Sequence, residues 1–177
     1  MELQKIASFE VNHNTLKRGI YTSRIDGDIT TYDIRMKLPN AGDYLENKAM
    51  HTTEHIIATF VRNSELRDRI IYFGPMGCRT GFYLLVRDVS PENAIELIKK
   101  AFEFLADFEG EIPGVSAIEC GNYLEHDLDG AKKEAKEYLK QMGFSENFDL
   151  LLCIGFGYPA ETPKAKPRDA AKVKFMD

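Results

Sequence analysis

Residues 48–63 read KAMHTTEHIIATFVRN. Neither glycine nor proline interrupts them, and Ile56, Ile57, Phe60 and Val61 recur at helical spacing, so an amphipathic helix of about four turns is expected. On both sides of it the pattern changes to strand. Upstream, TTYDIRMK (30–37) alternates, with Tyr32, Ile34 and Met36 in one row and Thr31, Asp33 and Arg35 in the other. That alternation describes a half-buried strand, with Arg35 facing away from the apolar row. GIYTSR (19–24) is a second strand candidate, and DGD (26–28) supplies the turn that makes the two a hairpin. Downstream, IIYFG (70–74) and GFYLLVRDV (81–89) are β-rich runs on either side of the tight loop PMGCRT. The segment SPENAIELIKKAFEFLADF (90–108) opens with a serine cap and a proline at the first helical position. Its apolar residues Ile95, Ile98, Phe102 and Leu105 mark it as a second helix. A third helical pattern runs from about Cys120 or Asn122 to Met142, with Leu128, Ala131, Ala135, Tyr138, Leu139 and Met142 in one stripe and KKEAKE as a solvated face. The expected fold is a single α+β domain, an antiparallel sheet packed against helices.

Composition sets the class. With 177 residues, 44% of them hydrophobic, the chain is long enough to bury a core as one soluble domain. Its longest strongly apolar run, LLLCIGF (150–156), is too short to cross a bilayer, and MELQKIASFE lacks the features of a signal peptide, so a cytoplasmic protein without a membrane partner is expected. A net charge of −5 with no basic cluster argues against nucleic acid as a partner. Three cysteines, an odd number, argue against a disulfide framework and leave Cys78, Cys120 and Cys153 free for metal or catalytic duty.

The chemistry begins inside the opening stretch. His51 and His55 stand four residues apart, so on a helix they stack on one face and two imidazoles can converge on a single ion. Glu54 lies beside them without needing to be a ligand, which is the H-x-x-E-H arrangement of inverted zincins. A catalytic site of that kind needs a third protein ligand and an open position. A thiolate from Cys120 or Cys78 qualifies, and it favours a borderline divalent metal such as Zn(II) or Fe(II) over magnesium or calcium. In an inverted-zincin metallopeptidase the third ligand is normally a carboxylate, and that reading stands as the alternative.

SFEVNH (8–13), TYDIRMKLPN (31–40), HTTEH (51–55), GPMGCRTGFYL (74–84) and IPGVSAIECGNYLEHDL (112–128) occur together in one order and spacing. In these five motifs, across about residues 5–142, the chain resembles the S-ribosylhomocysteine lyases of the LuxS family. The resemblance implies that His51, His55 and Cys120 hold one metal ion per subunit, natively Fe(II), with Zn(II) or Co(II) as substitutes. It implies that Glu54 is the general base and Cys78 the second acid/base residue. Ser8, His13 and Arg35 would line the substrate pocket, and the active sites would lie at the interface of a homodimer. The implied reaction moves the carbonyl of S-ribosylhomocysteine along the sugar by proton transfers until homocysteine leaves by β-elimination. A Lewis-acid metal and two proton carriers on opposite sides of the sugar make each step accessible. Its products are homocysteine and 4,5-dihydroxy-2,3-pentanedione, the precursor of the autoinducer-2 signal.

Two features depart from that correspondence, and one histidine within it has no assigned role. Tyr72 stands where many members carry an aspartate that helps hold the amino-acid end of the substrate. His126, six residues past Cys120 on the expected helix, reads either as a partner standing behind the metal ligands or, preferred here, as a surface histidine, and it is not placed in the site. The C-terminus divides the chain into a catalytic domain over 1–143 and an atypical tail over 144–177, where GFGYPAETPKAKPR is similar to the closing segment of flavin-dependent nitroreductases. A non-catalytic metal-binding or flavin-partner module built around that tail is the third functional alternative.

Overall fold

The computed structural model describes Gln4 and residues 9–144; the expected burial of Cys153 and of the LLLCIGF run lies outside the described residues. Four strands form one antiparallel sheet: β1 (Gly19–Asp26), β2 (Ile29–Arg35), β3 (Ile70–Pro75) and β4 (Gly81–Arg87), in the order β1-β2-β4-β3. Three helices, α1 (Asn47–Arg62), α2 (Pro91–Ala106) and α3 (Leu128–Gln141), pack with it into the α+β arrangement the sequence predicts. The β1–β2 hairpin turns at Gly27 and Asp28, as the DGD signal requires.

Alternation builds the core. Phe82, Leu84 and Val86 on β4 and Tyr32 and Ile34 on β2 are almost fully buried, whereas Tyr83 and Leu85 between them keep part of their surface in water. α2 contributes Ile98, Phe102 and Leu105 to the same cluster, and the ring of Phe102 lies 4.7 Å from that of Tyr138 on α3. Each such side chain contributes roughly 1.5–3 kcal/mol through the apolar surface it removes from water. The start of α2 follows its sequence signal, with Ser90 accepting a hydrogen bond from the Asn93 N–H at 3.3 Å and Pro91 opening the helix.

Two expectations change. β2 is not half-buried at its C-terminal end: Asp33 and Arg35, in the row opposite Tyr32 and Ile34, are buried as well, because they satisfy each other by hydrogen bonds. The third helix begins at Leu128 rather than near Cys120. Asp127 caps it by accepting from the Gly130 N–H at 2.9 Å, and the preceding residues run as turns across α1. The KKEAKE face is also only partly solvated. Lys37 on the sheet side is buried and binds Glu134 at 2.9 Å, and Lys132 donates to the Phe108 carbonyl at 2.8 Å, so the polar side of α3 is clamped to the body. Phe144, one residue past the 1–143 boundary, is itself part of the core.

Candidate functional site

α1 and the turns before α3 assemble a cluster of nitrogen and sulfur donors. His51, His55, Cys120 and His126 each offer a donor atom, and these atoms lie within 4.8 Å of one another. A carbonyl oxygen can only accept, so His51, bonded through Nδ1 to the Glu125 carbonyl at 3.0 Å, carries its proton there. The same logic applies to His55, whose Nδ1 donates to the Pro113 carbonyl at 2.8 Å. Both rings are thereby fixed with a free lone pair on Nε2, the state a metal requires. Gly114 makes the second contact available: its φ of +73° lets the chain turn beside the ring, and a Cβ there would stand 3.3 Å from His55 Nδ1.

Cys120 completes the geometry. Its Sγ lies 3.5 Å from His51 Nε2, and it accepts from the Asn122 N–H at 3.4 Å. A nitrogen held at about 2.0–2.1 Å and a sulfur at about 2.3 Å by one tetrahedral ion stand roughly 3.5 Å apart, so the spacing fits a shared divalent cation. The donor set is also chemically consistent with a borderline metal. Among the described residues no carboxylate joins the group, which leaves the peptidase alternative without its third ligand.

His126 belongs here, contrary to the expectation of a surface histidine. Its ring stacks on His51 with centroids 4.2 Å apart and planes 20° from parallel. Its Nδ1 lies 3.1 Å from the buried Thr52 hydroxyl, which also accepts from the Asp127 N–H at 2.9 Å. Burial, and then the charges of His51 and His55, push its pKa below the ordinary histidine value. Six residues from Cys120 on a helix, His126 would point elsewhere; the turns that replace the helix bring both residues to α1. The sequence offers only the nearness of His126 to Cys120 as a signal, since turn geometry here depends on contacts with Thr52 and His51. Glu54, on the same helix as the histidines, is half-buried and has no hydrogen-bond or ion-pair partner among the described residues.

A second group gathers on the opposite row of β2. Arg35 bonds both carboxylate oxygens of Asp33, donates to the Thr80 hydroxyl and lies 3.8 Å from Cys78 Sγ. The exposed Cys78, in the loop between β3 and β4, lies 3.0 Å from the same hydroxyl. This loop is pinned to the end of β2, because Met36 and Lys37 both donate to the Thr80 carbonyl. Gly81 allows the approach: a Cβ there would meet the Ile34 carbonyl oxygen at 2.0 Å. Burial pushes the carboxyl of Asp33 up, outweighing the Arg35 hydrogen bonds and the charges of Arg35 and His13 that pull it down. The charge of His13 therefore reaches this group, with its ring held by a bond from Nδ1 to the Val11 carbonyl at 2.9 Å. Ser8 lies outside the described residues. Tyr72 is half-exposed on β3, its ring lying across Gly74. Asp33 and Thr80 have no mark in the sequence that separates them from ordinary strand and loop residues. No hydrogen bond or ion pair among the described residues joins the Cys78 group to the His51 cluster.

The family model described as S-Ribosylhomocysteinase (LuxS) matches residues 6–148. An S-ribosylhomocysteine lyase of Phocaeicola vulgatus is 49% identical over 146 residues, covering 79% of this chain and 91% of that protein. The S-ribosylhomocysteine lyase of Desulfotalea psychrophila is 46% identical over 164 residues, covering 89% of this chain and 100% of that protein. A third, from Borreliella burgdorferi, is 48% identical over 144 residues, covering 78% of this chain and 92% of that protein.

Proposed function

The chain belongs to the S-ribosylhomocysteinase (LuxS) family, and from that premise we propose that it cleaves the thioether of S-ribosylhomocysteine to homocysteine and 4,5-dihydroxy-2,3-pentanedione. The observation that carries this reading is the convergence of His51, His55 and Cys120 within 4.8 Å of one another, with Cys120 Sγ 3.5 Å from His51 Nε2, the separation of two ligands of one tetrahedral ion. These three residues hold the metal, natively Fe(II), with Zn(II) or Co(II) able to replace it. When bound, the cation supplies Lewis-acid polarisation of the sugar oxygens.

The remaining work falls to the chain's own groups. Glu54 follows His51 by one turn, adjoins His55 and has no hydrogen-bond or ion-pair partner among the described residues. It takes a proton from the carbon beside the sugar carbonyl and delivers it to the former carbonyl carbon while the hydroxyl proton passes to the former carbonyl oxygen, so the carbonyl moves from C1 to C2 and, by a repeat, to C3. Cys78 moves protons on the opposite side of the sugar, with the Arg35 guanidinium beside its sulfur. With the carbonyl at C3, loss of the C4 proton expels homocysteine from C5: the C4–H pair becomes the C4–C5 π bond, the C5–S pair leaves on the sulfur, which takes up a proton, and the resulting enol tautomerises to the dione. Arg35 and His13, with Ser8, line the substrate pocket. A homodimer whose active sites lie at the interface would unite the two groups, since no hydrogen bond or ion pair among the described residues joins the Cys78 group to the His51 cluster and neither group holds both proton carriers. The cytoplasm, where thiols and Fe(II) stay reduced, is the compartment this chemistry requires. Phe144 is built into the core and the family match runs to residue 148, so the catalytic unit extends past the expected boundary at 143.

Anaerobically purified protein incubated with S-ribosylhomocysteine tests the proposal through release of free thiol. Glu54→Ala and Cys78→Ala should each lower the rate about 10²–10⁴-fold while metal content stays unchanged. A metal-loaded protein that releases no thiol, or a Cys78→Ala variant with full activity, refutes it.

A further inference from the structure

Three histidines meet at the candidate metal centre, yet they are held in two different states. Carbonyl oxygens fix the protons of His51 and His55 on Nδ1 and leave Nε2 free to ligate. His126 faces a hydroxyl instead. That hydroxyl, on Thr52, already accepts the Asp127 N–H, and its own hydrogen has His126 Nδ1 as the acceptor within reach. The proton of the neutral His126 ring then sits on Nε2, the one nitrogen of the cluster that is buried without a hydrogen-bond partner among the described residues. A buried donor left unpaired is costly, so the site is built for an acceptor that arrives there.

Stacking points the same way. An imidazole ligates through a lone pair in its own plane, and rings only 20° from parallel with centroids 4.2 Å apart confine those lone pairs to two nearly parallel, offset planes. Such planes do not cross at one ion beside both rings, so His51 and His126 do not ligate it together; the plane of His55 crosses both, at 90° to His51 and 73° to His126, and the tautomers then single out His51 as its fellow ligand.

We propose that His126 is a positioning residue of the metal centre. Held by Thr52, it stays out of the coordination sphere, fixes the His51 ring by stacking, and offers its Nε2–H to the oxygen that fills the place left open by the three ligands. This rests on His51, His55 and Cys120 being those ligands. It gives Thr52, a fully buried polar side chain, its role: setting the His126 tautomer.

The metal-free protein and its His126→Ala, His126→Gln and Thr52→Val variants, loaded with Co(II) alone, provide the test. X-ray absorption at the cobalt edge of the parent should count two imidazoles and one sulfur, and the same count should persist in His126→Ala. The dissociation constant for Co(II) should rise about 10–100-fold in His126→Ala. His126→Gln, which keeps an N–H donor, should recover part of that loss, and Thr52→Val, which keeps the ring but releases it, should fall between. Should His126→Ala fail to fold by circular dichroism, Thr52→Val carries the comparison. Three imidazoles in the parent, or unchanged affinity in Thr52→Val and in whichever His126 variants fold, overturn the proposal. A parent that binds no Co(II) overturns the ligand assignment beneath it as well.

Discussion

Replacing Arg35 by methionine strands a buried carboxylate. Arg35 is 3% exposed and the Asp33 side chain 12%, and the guanidinium holds both carboxylate oxygens and the Thr80 hydroxyl. Methionine keeps most of the side-chain volume and removes all of these bonds. Breaking a buried ion pair from one side costs about 3–5 kcal/mol, because the remaining charge is desolvated and unpaired. Neutralisation limits that cost. Burial already holds Asp33 above its ordinary carboxylate value against the pull of Arg35, and without the guanidinium the carboxyl rises further and takes up a proton. A folded-state pKa raised above the unfolded one favours the fold at low pH, and this contribution is lost as pH climbs through the folded value, at about 1.4 kcal/mol per pH unit for one proton. Arg35→Met is therefore expected to lose about 3–5 kcal/mol relative to the parent near pH 8 but only roughly 1–2 kcal/mol near pH 5. Urea unfolding at both pH values measures the difference. Arg35→Met combined with Asp33→Asn leaves no charge behind, so it should recover most of the loss and abolish the pH dependence. An equal loss at both pH values, or a double variant as unstable as Arg35→Met, refutes the reasoning.

Chelation of the bound cation should lower the stability of the parent by about 2.7 kcal/mol when the metal was present at about one hundred times its dissociation constant, and should leave Cys120→Ser unchanged; calorimetry with and without chelator reads both. Lys37, whose side chain is 4% exposed, would be pulled down by burial, but hydrogen bonds to Glu134 and Asp43 and the charges of Glu134 and Glu137 hold it above its ordinary value of 10.5. Its contribution is thus complete below that pH and fades as pH rises through the folded value, so Lys37→Met should cost about 3 kcal/mol at neutral pH and less in strong alkali. A neutral-pH loss below about 0.5 kcal/mol, the range of an ordinary surface substitution, would show that α3 is not clamped there.

Much of this protein was legible along the chain, because helices and strands are written by local periodicity. The alternation of Phe82, Leu84 and Val86, the spacing of Ile95, Ile98, Phe102 and Leu105, and the Ser90–Pro91 cap each depend on neighbours within one or two turns. The pairing of His51 with His55 is local in the same sense, since four residues of helix bring one imidazole above the other whatever surrounds them. Other features were set by contacts between segments far apart in sequence. The residues before Leu128 continue a helical pattern, yet hydrogen bonds between Thr52 and His51 on α1 and residues 125–127 take precedence, and the turns that result carry Cys120 and His126 to the candidate metal centre. Asp33 and Arg35 alternate like a solvated strand face but are buried, because the Thr80 loop folds over the end of β2 and supplies the bonds that make burial tolerable. The sequence alone determined which elements form and which side chains carry the chemistry. Only the tertiary structure decided which of those side chains meet, because a buried donor or charge is stable only where a distant segment brings its partner.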